Sequence, residues 1–89
     1  MAATSLAQLE QELPDATIAE IAAVIAGDWT NVNFAAVPYL DAMFSLTTIR
    51  DKYGMDDGKG IVIYFLSNAG TWRGNIAKLV KAELRSRVK

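Results

Sequence analysis

The chain has 89 residues, 52% of them apolar or aromatic, and a formal net charge of −1. That is the size of one domain with one core, and it is too apolar for a disordered chain. It contains no cysteine and no histidine. Disulfides, thiolate metal sites and thiol nucleophiles are therefore excluded, and the commonest general base and metal ligand are missing.

The first predicted helix covers Ser5–Leu13. Ser5 and Gln8 stand at capping-box spacing, and Leu6, Leu9 and Leu13 form one stripe before Pro14 stops the helix. A second helix is predicted from Thr17 to about Asp28. Thr17 and Glu20 make another capping box, and Ile18, Ile21, Ala22, Val24, Ile25 and Trp29 share one side. Residues 30–37 read as irregular, with Asn31 and Asn33 as turn formers. Pro38 suits the first turn of a third helix through Leu40, Met43 and Leu46. Its pattern continues to Tyr53, with a weak point at Ser45–Thr48, and Gly54 reads as the residue that closes it.

A loop follows over Met55–Gly60, with Asp56 or Asp57 as helix cap. The run Ile61–Leu66 has the β-branched and aromatic composition of a strand. No other segment offers a comparable partner, so it reads as a buried central helix; the alternative is a strand pairing across a dimer. Ser67–Gly70 reads as a turn, and a last helix is predicted from Thr71 to about Val88. Trp72, Ile76, Leu79 and Val80 fill its apolar arc, and Glu83 and Arg87 stand at pairing distance. The expected fold is all-α: residues 1–89 as one domain of five or six short helices. The expected core is Leu9, Ile18, Ile21, Ile25, Trp29, Leu40, Met43, Leu46, Ile61, Phe65, Trp72, Ile76, Leu79 and Val80.

No run approaches the ~20 apolar residues of a membrane-spanning helix, since the longest is Ile61–Leu66. The N-terminal stretch MAATSLAQLEQELP is acidic and lacks a basic leader, so the chain reads as cytoplasmic with no membrane association.

Little in the sequence points to catalysis. Asp56-Asp57-Gly58-Lys59-Gly60 is the densest polar cluster, but it lacks the spacing of a phosphate-binding loop and the acid ligands of an EF-hand. It reads as a helix start. The other aspartates show no metal-ligand spacing, although carboxylate pairs formed in space are invisible at this level. We therefore expect no catalytic, cofactor or metal site.

Charge is divided along the chain. Residues 1–49 hold six acids and no base, whereas residues 50–89 hold nine bases and four acids. Within the last helix Lys78, Lys81, Arg85 and Lys89 share one arc, and Arg73 lies in its first turn. These five are the candidate interaction residues. Arg73 also stands beside Trp72, the residue pairing common in interface hot spots. Trp72 is expected in the core and Arg73 in solvent. Complementary halves suit binding to another protein or to a second copy. The same basic arc suits phosphate backbones, so nucleic-acid binding is the second reading.

The stretches VPYLDAM, YGMDDGKGIVIYFLSNAGTWRG and AKLVKAELRSR resemble short uncharacterised reading frames of bacteria and their phages. The resemblance implies a small accessory or inhibitor protein that acts by binding a host protein. It implies no particular residue role.

Overall fold

The computed structural model describes residues 5–89. Residues 1–4 of the stretch read above as lacking a leader lie outside the described residues. Five α-helices dominate: α1 (Leu6–Glu12), α2 (Ile18–Asp28), α3 (Val37–Met43), α4 (Gly58–Ser67) and α5 (Asn75–Arg87). Short 3-10 turns cover Leu13–Asp15 and Phe34–Ala36. A two-residue hairpin, β1 (Lys52–Tyr53) and β2 (Asp56–Asp57), precedes α4.

Caps set most of these boundaries. The Thr17 hydroxyl accepts from the Glu20 backbone N–H, and the Glu20 carboxylate accepts in return from the Thr17 N–H, which lowers its pKa. Only half of the Ser5 box forms. Ser5 accepts from the Gln8 N–H, but the Gln8 amide donates to Glu12. Asp57 is the cap of α4, accepting from the Gly60 N–H at 2.6 Å.

Two predicted helices are shorter than expected. The third ends at Met43, not Tyr53. The carbonyls of Leu46 and Thr47 accept from the Ala19 and Ile18 N–H groups, and those of Ile49 and Asp51 accept from Lys59 and Gly58. This loop thus satisfies donors at the N-termini of α2 and α4, and its carbonyls are not free to continue a helix. The Asp51 carboxylate ties the loop by accepting from the Thr47 and Thr48 N–H groups, and those bonds hold its pKa below the usual carboxylate range. Gly54 is not a helix end. It opens the hairpin turn with φ +64°, and no non-glycine residue among those described has positive φ, as a type II′ turn requires. The last helix starts at Asn75, not Thr71, because Gly74 at φ +111° breaks the helical path.

Ile61–Leu66 lies inside α4, so it forms no strand. Ile61, Val62 and Phe65 are buried, while Ile63 and Tyr64 face out. One apolar cluster joins all five helices. It contains the expected core except Ile76 and Leu79, which are half-buried. With α5 beginning later, Ala77, Val80 and Leu84 make its inward stripe.

Gly58 offers a direct check on the loop that serves both helices. A Cβ there would meet the Ile49 carbonyl oxygen at 2.9 Å and the Thr48 carbonyl oxygen at 3.0 Å, both backbone. Gly58→Ala should destabilise the fold by about 1–3 kcal/mol in urea unfolding. Gly27→Ala, in open space within α2, should instead add about 0.5–1 kcal/mol.

Candidate functional site

The segment between α4 and α5 is built around Trp72. Its ring is 2% exposed and stacks on Trp29 at 5.9 Å between centroids, and Trp29 in turn meets Phe65 edge-on. The indole N–H donates to Asp28 Oδ2 at 2.8 Å. Asp28 is the last residue of α2, where the helix dipole disfavours an anion; the indole donor compensates there. Trp72 is thus the core anchor expected, held from a turn and not from a helical arc.

Lys81 reaches back from α5 to the same turn. Its ammonium donates to the carbonyls of Trp72 at 2.6 Å and Ala69 at 2.7 Å, and it lies 5.8 Å from the Trp72 ring centre. Partial burial lowers its pKa, and the positive charges of Arg85 and Arg73 lower it further. The second effect reports cations gathered close together.

They gather around one open depression of about 500 Å³, lined by Trp72, Arg73, Gly74, Ala77, Lys78, Lys81 and Arg85. No carboxylate lines it. Arg73, Lys78 and Arg85 are exposed. Glu83–Arg87 is the one side-chain ion pair among the described residues. Four of the five candidate residues therefore converge. Lys89 is exposed at the end of the chain and does not line the depression. Lys81 has a structural share: it fixes the turn while adding to the local field. Arg87 pairs with Glu83 as its spacing predicts and points away from the depression. Its guanidinium donates to the carbonyls of Leu13 and Ala16 and to Glu83.

A second surface feature was not singled out from sequence. Met55 at the hairpin tip is 99% exposed and Phe34 is 91% exposed. Tyr64 stacks on Tyr39 at 5.5 Å, and both border a hollow with Met55. Their spacing across three segments gives no periodic signal, so only the fold reveals it.

Among the described residues no group of three or more acidic, histidine or cysteine side chains could hold a metal ion, and no helix is long and apolar enough to cross a membrane. Comparison with family models, curated proteins and solved structures returned no match.

Proposed function

We propose that the chain is a small non-enzymatic interaction module that binds an acidic surface of another protein through the α5 depression. The observation that carries this reading is the convergence of Arg73, Lys78, Lys81 and Arg85 on one depression without a carboxylate. Unpaired cations on a fixed scaffold attract an acidic partner and orient its approach. Exposed Phe34, Met55 and Tyr64 are of the residue types enriched at protein interfaces. The resemblance to short reading frames of bacteria and their phages is consistent with a host protein as the class of partner.

Nucleic acid is the second reading, favoured by exposed Lys78 and Arg85 on α5 and Lys89 just beyond its end. The aromatic that borders these cations is Trp72, whose ring is buried against Trp29 and therefore closed to base stacking. Affinity capture from lysate, with and without nuclease, separates the two. Capture that persists after nuclease supports the protein partner; capture abolished by nuclease supports nucleic acid and overturns it.

A further inference from the structure

We propose that a second copy of this chain can seat its acidic groove on the cationic depression, giving head-to-tail association. The inference rests on the reading of the α5 depression as an interaction surface. The groove lies between α1 and α2, encloses about 400 Å³, and is bordered by Glu12, Asp15 and Glu20 above Leu9, Leu13 and Ile21. No Lys or Arg lines it, just as no Asp or Glu lines the depression. The two surfaces are opposite in charge.

The charges cannot neutralise each other within one molecule. Arg87 binds the carbonyls of Leu13 and Ala16, so its flank of α5 faces the segment that builds the groove. At 100° per residue, Arg85 and Lys78 stand roughly 160–180° away around the helix. Groove and depression therefore open on opposite flanks of α5. Complementary patches on opposite flanks make a heterologous contact, which propagates head to tail unless a ring closes. The net charge of −1 leaves little overall repulsion to oppose it.

Sedimentation velocity of the full chain at several protein and salt concentrations reads the outcome. Wild type should associate at low salt, and the association constant should fall at least about tenfold between about 0.02 and 0.5 M salt as screening tightens. Lys78→Glu with Arg85→Glu should be monomeric, and so should Glu12→Lys with Asp15→Lys. An equimolar mixture of the two variants should associate again, because each keeps the face the other has lost and the two reversed faces are themselves opposite in charge. The wild-type salt series stands even where a variant fails to fold. A wild type monomeric at every salt and concentration would overturn the second copy. If that monomer still captures a protein from nuclease-treated lysate, the proposed function stands alone; if it captures none, both readings fall. A mixture of folded variants that stays monomeric would also overturn the head-to-tail contact.

Discussion

Trp72→Ala should cost about 3–5 kcal/mol of folding stability, the range for deleting a large buried aromatic. Such a loss is most of the margin of a small domain. The ring is 2% exposed, stacks on Trp29 and donates to Asp28. Its removal leaves a cavity and an unpaired carboxylate at the end of α2. It also frees the backbone that Lys81 binds. Trp72→Phe keeps an aromatic body and loses the N–H, so it should cost less, by about 1–3 kcal/mol for the lost hydrogen bond to Asp28. Urea unfolding of both variants separates packing from hydrogen bonding. A Trp72→Ala variant as stable as wild type would show that the tryptophan is not the anchor of this turn.

Arg87→Ala should lower stability by about 2–3 kcal/mol, whereas Arg85→Ala, two residues earlier, should change it by less than about 0.5 kcal/mol. Both are arginines near the end of α5, but their surroundings differ. Arg87 donates at 2.7 Å to the carbonyls of Leu13 and Ala16, and at 2.8 Å to Glu83. It therefore ties the end of the chain to the turn between α1 and α2. Its removal strands carbonyls whose charged donor is gone. Arg85 is exposed and lacks a carboxylate partner. Thermal melts of the two variants, run side by side, read the difference. Equal losses would mean that Arg87 is solvated like its neighbour.

These contrasts show where the fold was readable from sequence. The Thr17–Glu20 box was legible because both partners lie within one helical turn and have few other local choices. Ile61–Leu66 was legible as helix because a strand needs a neighbour and none was available. The end of α3 was not legible. Its hydrophobic pattern does continue past Met43, but the carbonyls of Leu46 and Thr47 are taken by α2, a tertiary event with no local trace. The start of α5 was misplaced for a related reason. The apolar arc extends back to Trp72, and only the φ of +111° at Gly74 shows that the helix breaks there.

The candidate site divides in the same way. Helical spacing grouped Lys78, Lys81, Arg85 and Lys89; the first three line the depression, and Lys89 lies beyond the end of α5. It could not show that Lys81 turns back onto Ala69 and Trp72, nor that Arg73 joins the group across the turn. It did pair Arg87 with Glu83, but it could not show that the same guanidinium reaches the Leu13 and Ala16 carbonyls, more than seventy residues away in sequence. The acidic groove depends on the 3-10 turn at Leu13–Asp15, which places Asp15 beside Glu12 and Glu20. The helix-stop signal of Pro14 says nothing of that geometry.

The most direct test of the proposed interaction surface pairs a melt with a capture. Lys78→Glu with Arg85→Glu reverses two exposed cations of the depression and leaves Lys81 on its carbonyls. The expected result is a melting temperature close to wild type, together with partner capture from nuclease-treated lysate reduced at least about tenfold, the effect of about 1.4 kcal/mol. Undiminished capture by the folded double variant would contradict the assignment of this depression as the interaction surface.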